Sequence, residues 1–314
     1  MRHSRNIQTS RRHFLGAATT GGLALLAPGC KFWSAHTPAP DTGSIDAHVH
    51  IWSPDLVRYP LASGHTKSDM PRPSYTSEEF CADARPAGVT RVVLVQMTFY
   101  GFDNSYMLDA IKAQPGTFSG VAVIDENGDD PAREMRRLKG LGVRGFRILP
   151  SSAWQPSSGM HAMWKCGGEE GLAMCPLMNP DAIPKVDQMC KQYPDTPVVV
   201  DHFARIGVDG AFRENDVANL CALSRYPLTH VKASAFYALG SRKAPYTDVG
   251  PLIFRVLDAF GPERVMWASD NPYQVQAPHT YNASIELIRD RLKLSDSDKE
   301  WLLRRTAEKA FFAS

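Results

Sequence analysis

The stretch "IDAHVHIW", residues 45–52, alternates aliphatic residues with polar ones in the way that is typical of a β-strand. Side chains of a strand point to opposite faces in turn, so His48 and His50 are expected on the same face. The opposite face would then carry Ile45, Ala47, Val49 and Ile51. Two imidazoles that converge on one point suit a metal ion, or an oxygen that becomes negative during a reaction. From this stretch alone, two separately hydrogen-bonded histidines are an equally good interpretation.

Seven more runs rich in β-branched residues follow, separated by segments with a helical pattern. They cover residues 89–96, 118–125, 143–149, 171–178, 197–203, 230–236 and 264–270. Helical segments between them carry start signals, as at Pro131 after Asp130. Eight strands, each followed by a helix or a long loop, predict an α/β fold with one (β/α)8 TIM barrel. Residues 52–76 and 150–170 are expected to be long loops on the catalytic face.

The amino-terminal 30 residues have the pattern of an export signal. Arg11 and Arg12 precede a Gly- and Ala-rich stretch that has no charge until Lys31, which resembles a twin-arginine (Tat) signal. "LLAPGC" ends at Cys30 and resembles a lipoprotein cleavage box, so a lipid on Cys30 would be the only expected link to a membrane. We therefore expect a signal at 1–30, a linker at 31–44 and one barrel domain at 45–314. The Tat machinery would deliver that domain to the periplasm.

Charge and composition narrow the choice of partner. The chain has 314 residues, of which 43% are hydrophobic, enough for a large core. Without the four arginines of the first 30 residues, 31 basic residues face 33 acidic ones, so the body is nearly neutral. No basic stripe indicates nucleic-acid binding. The expected partner is a small molecule.

Polar residues concentrate where the predicted strands end. The first strand ends with the two histidines, the sixth with His202 and the eighth with Asp270. The fourth carries Arg144 and Arg147, and the seventh carries Lys232 and Ser234. Because the carboxyl ends of barrel strands meet at one face, these groups are expected to share one site, which favours an enzyme. The alternative is a periplasmic binding protein without catalytic activity.

Several motifs together resemble one enzyme family. "IDAHVHIW", "VRGFRI", "VVVDHFAR", "KASAFYAL" and "MWASDNPY" resemble, in order, the amidohydrolase-related (type 2) branch of the amidohydrolase superfamily. The resemblance runs from about residue 45 to residue 312, and within the branch it is strongest to the 2-pyrone-4,6-dicarboxylate and sugar-acid lactonases. It implies a TIM barrel that hydrolyses a lactone, with the histidines and the aspartate at the catalytic centre.

The resemblance assigns catalytic roles to His48, His50, His202 and Asp270. Asp270 would take a proton from water, while the three histidines polarise the carbonyl or, together with Asp270, hold one divalent ion, zinc or manganese. The lysine and histidine that complete a two-metal centre in many relatives are missing from strands four and five. The expected cofactor is therefore none or one divalent ion. Alternatives on the same barrel are a metal-dependent decarboxylase and an amide or ester hydrolase.

Four residues are candidates for substrate binding. The planar forks of Arg147 and Arg205 suit a carboxylate, which predicts an anionic or sugar-derived lactone. Arg205 follows His202 at a position where related lactonases carry a substrate arginine, whereas an ion pair inside the barrel is an equal interpretation for Arg147. Tyr100 and Tyr237 would line the pocket, with simple packing as the alternative for each. Lys232 is expected to be a structural lysine.

Overall fold

The computed structural model describes residues 43–313. The predicted export signal, Cys30 and most of the predicted linker lie outside the described residues, so the structure does not bear on them. Among the described helices, none is both long enough and apolar enough to cross a membrane.

Eight parallel strands pair in chain order, each with the next. They are β1 (Ser44–Val49), β2 (Val89–Val95), β3 (Phe118–Ala122), β4 (Val143–Ile148), β5 (Ala173–Pro176), β6 (Val198–Val200), β7 (Thr229–Ala233) and β8 (Val265–Trp267). A parallel bridge between Val49 and Asn271, just beyond β8, brings the last strand back to the first. The backbone N–H of Asp270 also donates to the carbonyl of His48, over 3.0 Å. The predicted (β/α)8 barrel is confirmed.

Helices lie outside the barrel sheet, both between successive strands and after β8. They are α1 (Ser77–Ala84), α2 (Ser105–Ala113), α3 (Pro131–Lys139), α4 (Ser158–Glu170), α5 (Ile183–Gln192), α6 (Glu214–Ala222), α7 (Gly250–Phe260), α8 (Tyr281–Glu286), α9 (Asp296–Glu300) and α10 (Thr306–Phe311). A π-helical segment, Trp301–Arg305, joins α9 to α10. The prediction of a loop throughout 150–170 is wrong, because α4 occupies most of it.

Local capping explains where two of these helices begin. The Asp130 carboxylate accepts from the N–H of Arg133 over 2.8 Å, and Pro131 occupies the first turn, where it removes no needed donor. The Ser157 hydroxyl accepts from the N–H of Met160 over 3.0 Å and starts α4. The Ser-Gly-Met stretch after Ser157 lacks a clear apolar period, so this helix could not be predicted from the sequence pattern.

The barrel interior is filled by one apolar cluster. Its members on the strands, or directly after one, are Ile45, Ala47, Val93, Val95, Val121, Ala173, Cys175, Val199, Met266 and Ala268. Ala307 and Phe311 of α10 belong to the same cluster and cover the end of the barrel where the strands begin. The other end is therefore free to carry the polar groups.

A register irregularity between Asp46 and Val49 changes the faces of β1. Before it, Ile45 and Ala47 point into the barrel; after it, Val49 packs in the cluster between the strands and the helices. The prediction that the aliphatic residues of this stretch share one face is therefore wrong. The bulge is what lets His48 and His50 take the inner position at the carboxyl end of the strand.

Candidate active site

The two histidines of β1 meet at the mouth of the barrel, as the sequence predicted. Their Nε2 atoms lie 3.3 Å apart. Nδ1 of His50 lies 2.7 Å from the carbonyl oxygen of Val95, so this nitrogen carries the proton and donates it. In the neutral ring, the lone pair of His50 Nε2 is then free to face the cavity.

His202 reaches the same mouth through an unusual turn. After β6 ends at Val200, four consecutive non-glycine residues, 202–205, have φ between 51° and 58°. This left-handed conformation costs about 1–2 kcal/mol per residue. Residues three apart share a face of such a turn, and His202 and Arg205 both line the cavity while Phe203 and Ala204 are buried.

Asp270 lies at the centre of the polar groups. Its Oδ1 is 3.3 Å from His50 Nε2 and 3.6 Å from His48 Nε2, and its Oδ2 is 3.8 Å from His202 Nε2. The hydroxyl of Tyr237 donates to Oδ2 over 2.7 Å. Asp270 has φ of 66°, so its backbone is also strained, in keeping with its place at a reactive site.

The surroundings keep Asp270 ionised. Burial by itself would raise the pKa of its carboxyl, but the neighbouring His202, His50 and His48 together hold the pKa below its usual range. Burial, opposed in part by Asp270, lowers the pKa of His202, so the neutral imidazole predominates at neutral pH. Burial and the Asp270 carboxylate both raise the pKa of Tyr237, which therefore remains a hydrogen-bond donor.

A buried ion cluster, formed by Asp201, Lys232 and Arg147, contacts His48. Lys232 Nζ lies 3.0 Å from Asp201 Oδ1 and 3.2 Å from His48 Nδ1. Arg147 Nη2 donates to Asp201 Oδ2 over 3.1 Å and lies 2.9 Å from His48 Nε2. Burial and the neighbouring Lys232 keep the pKa of His48 well below its usual value. Burial alone would raise the pKa of Asp201, but Lys232, His48 and Arg147 hold it well below its usual value.

A cavity of about 350 Å³ opens above Asp270. Of the four residues predicted to bind substrate, Arg147, Arg205 and Tyr237 line it. Tyr100 does not: it is buried, its hydroxyl accepts from the N–H of Ser53 over 3.1 Å, and its ring packs on Phe99. The prediction that Tyr100 binds substrate is therefore not supported by its position.

The structure differs from two further predictions about charged residues, those for Arg144 and Lys232. Arg144 does not join the site, because its guanidinium donates to the carbonyls of Lys139 and Val143 at the start of β4. Arg144 and Arg147 are three residues apart in one strand, so the period of two already places them on opposite faces. Lys232 is more than a structural lysine, since it contacts His48 directly.

Three residues that the structure brings to the site had no role predicted from the sequence. Asp201 precedes His202 and anchors both cations of the ion cluster. Asp46 is fully buried and accepts from the N–H of Ser269 (2.9 Å) and of His48 (3.2 Å), and burial raises its pKa to about 6. Tyr273 lines the cavity and stacks on Tyr237. Asp46 lies two residues before His48 in "DAH" and Asp201 directly before His202 in "DHF", and this proximity was the sequence signal that could have identified them.

Three of the four predicted metal ligands form a compact group. The candidate ligand atoms of His48, His50 and Asp270, a ring nitrogen or a carboxylate oxygen from each, lie within 4.8 Å of one another. His202 is outside this group. The ligands of a tetrahedral zinc ion are about 3.3–3.6 Å apart. The separations of 3.3 and 3.6 Å at Asp270 and of 3.3 Å between the imidazoles match that spacing. Arg147 beside His48 Nε2 would compete with an ion for this nitrogen.

Comparison with known proteins agrees with this architecture. The family model described as amidohydrolase matches residues 45–313. The chain belongs to the amidohydrolase family. Its relatives in this family include a 4-sulfomuconolactone hydrolase of Rhizobium radiobacter, 27% identical over 74% of this chain and 76% of that protein. A 2-pyrone-4,6-dicarboxylate hydrolase of Comamonas testosteroni is 27% identical over 78% and 83%.

Solved amidohydrolase structures have the same fold. A structure from Pseudomonas putida, described as a 2-pyrone-4,6-dicarboxylic acid hydrolase, has a TM-score of 0.73 and 25% identity over 86% of this chain and 98% of that one. An amidohydrolase from Burkholderia multivorans with bound zinc has a TM-score of 0.70 and 19% identity, over 86% and 99%. As a member of this family, with relatives named as hydrolases over about three quarters of its length, the protein is a hydrolase.

Proposed function

We propose that this amidohydrolase is a lactonase, which opens an anionic or sugar-derived lactone by attack of water. The observation that carries the proposal is the Asp270 carboxylate, ionised and open to the cavity, with three imidazoles within 4 Å of its oxygens. The names of the sulfomuconolactone and pyrone-dicarboxylate relatives support a lactone as the bond that is cleaved.

Asp270 and His50 can bind the attacking water between them. Asp270 Oδ1 and His50 Nε2 are 3.3 Å apart, and both are acceptors that face the cavity. A water that donates one hydrogen to each would have its oxygen lone pair directed at the substrate. As that oxygen bonds to the lactone carbonyl carbon, its proton passes to Asp270.

Positive and donor groups face the carbonyl oxygen of such a substrate. Arg147 lines the cavity and its Nη2 lies 2.9 Å from His48 Nε2, so its guanidinium places a positive charge beside the catalytic groups. The Ser234 hydroxyl lies 2.8 Å from His202 Nδ1 and can donate to it, which leaves an N–H on Nε2 of His202. These donors stabilise the tetrahedral oxyanion. When the ring C–O bond breaks, Asp270 returns its proton to the leaving oxygen, and the product is a hydroxy acid.

The group of His48, His50 and Asp270 also fits one divalent ion. Such an ion, zinc or manganese, would polarise the carbonyl or acidify the water. Arg147 already supplies a positive charge at His48, so we propose that the site takes at most one ion per chain and is active without it.

Elemental analysis combined with exhaustive chelation tests the metal proposal. We expect at most one equivalent of metal, and most of the lactonase activity should persist after chelation. Two equivalents would contradict the site as described. One equivalent with activity lost on chelation and restored by zinc or manganese would contradict the metal-independent reaction and leave the fold unaffected.

Replacing Asp270 tests the proposed base. Asp270→Asn keeps the shape of the side chain, so the fold should persist by circular dichroism while kcat on a responsive lactone falls about 10²–10⁴-fold. Asp109→Asn is the control, because Asp109 lies on α2 and pairs with Arg58 outside the cavity. Retention of most of the kcat by the Asp270 variant would show that another group takes the proton.

A further inference from the structure

The seam of the barrel, where β1 meets the segment 268–271 after β8, carries both His48 and Asp270. β8 ends at Trp267, so the proposed base lies beyond the regular strand. Two backbone hydrogen bonds cross the seam at this point. The N–H of Asp270 donates to the carbonyl of His48 over 3.0 Å, and the N–H of His50 donates to the carbonyl of Asn271 over 2.8 Å. The distances between the catalytic groups therefore depend on how firmly the seam is held.

The carboxylate of Asp46 adds a further link across the seam. Its Oδ1 accepts from the N–H of Ser269, which directly precedes Asp270, over 2.9 Å. The same oxygen accepts from the N–H of His48 over 3.2 Å. One atom thus binds the backbone at a catalytic residue on one side of the seam and next to a catalytic residue on the other.

Asp46 lies behind the site and not within it. Ile45 and Ala47 point into the barrel, so the side chain between them points outward. Asp46 is fully buried and is not one of the described residues that line the cavity. On the outer side its Oδ2 accepts from the hydroxyl of Tyr281, on α8, over 2.8 Å. Both carboxylate oxygens are therefore held by donors of the protein, away from the place where a substrate would bind.

The bond from Asp46 to His48 also accounts for the register irregularity of β1. The side chains of Asp and Asn readily accept from the N–H two residues further along, which turns the backbone locally. The irregularity lies between Asp46 and Val49, around this contact. As a result His48 takes an inner position two residues after an outward-pointing side chain, which a regular strand would not allow.

We propose that Asp46 is a positioning residue, which keeps His48 and Asp270 at their distance by accepting from the backbone on both sides of the seam. The inference rests on the proposed lactonase function, in which Asp270 is the base. Oδ1 of Asp270 lies 3.6 Å from His48 Nε2 and 3.3 Å from His50 Nε2, so a shift of the seam would change both distances. Asp46 contributes through its acceptor oxygens and not through its charge.

Two replacements separate the acceptor oxygens from the charge. Asp46→Asn keeps an oxygen for the two N–H groups and can donate its amide to Tyr281, so kcat should stay within about threefold on a lactone that the wild-type enzyme opens. The shorter side chain of Asp46→Ser can still bond the N–H of His48 but does not reach Ser269. Its kcat should fall about 10- to 100-fold, while KM changes less than about threefold because the cavity wall is intact.

Hydrogen exchange of the backbone provides a readout that does not depend on activity. The N–H of Ser269 should exchange at least about tenfold faster in Asp46→Ser than in the wild-type protein or in Asp46→Asn. Thr196→Val is the control, because Thr196 is buried before β6 and its hydroxyl donates to the carbonyl of Trp164 over 2.7 Å. This control loses a buried hydrogen bond away from the seam, so kcat and the exchange at Ser269 should stay close to wild type.

An Asp46→Asn variant with a kcat below the expected range would overturn the inference, since the charge would then be what matters. So would an Asp46→Ser variant with normal kcat or with normal exchange at Ser269. If Asp46→Ser does not fold, the kcat and exchange of Asp46→Asn decide. If the wild-type enzyme opens no lactone, the lactonase proposal fails, and the exchange data alone decide whether Asp46 holds the seam.

Discussion

Tyr237 contacts the proposed base directly, and this contact can be removed with little change in packing. Its hydroxyl donates to Asp270 Oδ2 over 2.7 Å, and its ring stacks on Tyr273 at 6.4 Å. Tyr237→Phe keeps the ring and removes the donor, so kcat should fall about 10- to 100-fold. Without the donor the carboxylate is less stabilised, so the acid limb of the pH–rate profile should move to higher pH.

The pH–rate profile of Tyr237→Phe distinguishes a direct effect of Tyr237 on the base, Asp270, from a general loss of structure. Tyr193→Phe removes a hydroxyl that contacts His161, away from the cavity, and should leave both kcat and the profile unchanged. A Tyr237→Phe variant with lower kcat but an unmoved acid limb would mean that Tyr237 acts on the substrate and not through Asp270.

At the level of secondary structure, α10 matters because it closes the barrel opposite the site. Phe311 is 1% exposed, belongs to the interior cluster, and its ring centre lies 5.5 Å from Lys232 Nζ. Phe311→Ala should lower the free energy of unfolding by about 3–5 kcal/mol, since it empties a large volume under the ion cluster. Chemical denaturation measures this change.

The neighbouring aromatic residue provides a matched control. Phe312 is only half-buried and lies against the guanidinium of Arg91, so Phe312→Ala should cost clearly less than Phe311→Ala. Equal losses for the two variants would show that burial inside the barrel does not determine how much Phe311 contributes to stability.

The positions of the strands along the chain could be predicted from the sequence because β-branched runs are typical of strands buried on both faces of a parallel sheet. The ends of β6 and β8 could not be predicted. Both strands stop before His202 and Asp270, where the backbone is left-handed although these residues, like most others without glycine's freedom, prefer negative φ. The type of residue at the site was predictable for the histidines and Asp270. The ion pairs of Asp201 with Lys232 and Arg147 join β6, β7 and β4, and no local pattern encodes such distant contacts.

For the molecule as a whole, the destination of the folded barrel remains a prediction from the sequence. Arg11 and Arg12 precede a weakly apolar stretch, and we expect the Tat route to export the protein. Changing both arginines to lysine keeps the charge but should leave precursor in the cytoplasm, as measured by fractionation and immunoblotting. The same pair of changes at Arg2 and Arg5 is the control. Undiminished periplasmic delivery of the Arg11–Arg12 variant would refute this route.

The left-handed turn at 202–205 also limits how the enzyme can evolve. Inserting or deleting one residue between His202 and Arg205 would rotate the arginine by about 100° and carry it out of the cavity. Loop-length variation, the commonest source of new specificity in barrel enzymes, is therefore closed to this segment. A change in the substrates that the enzyme accepts would have to come from a different side chain at position 205, or from a cation on another loop.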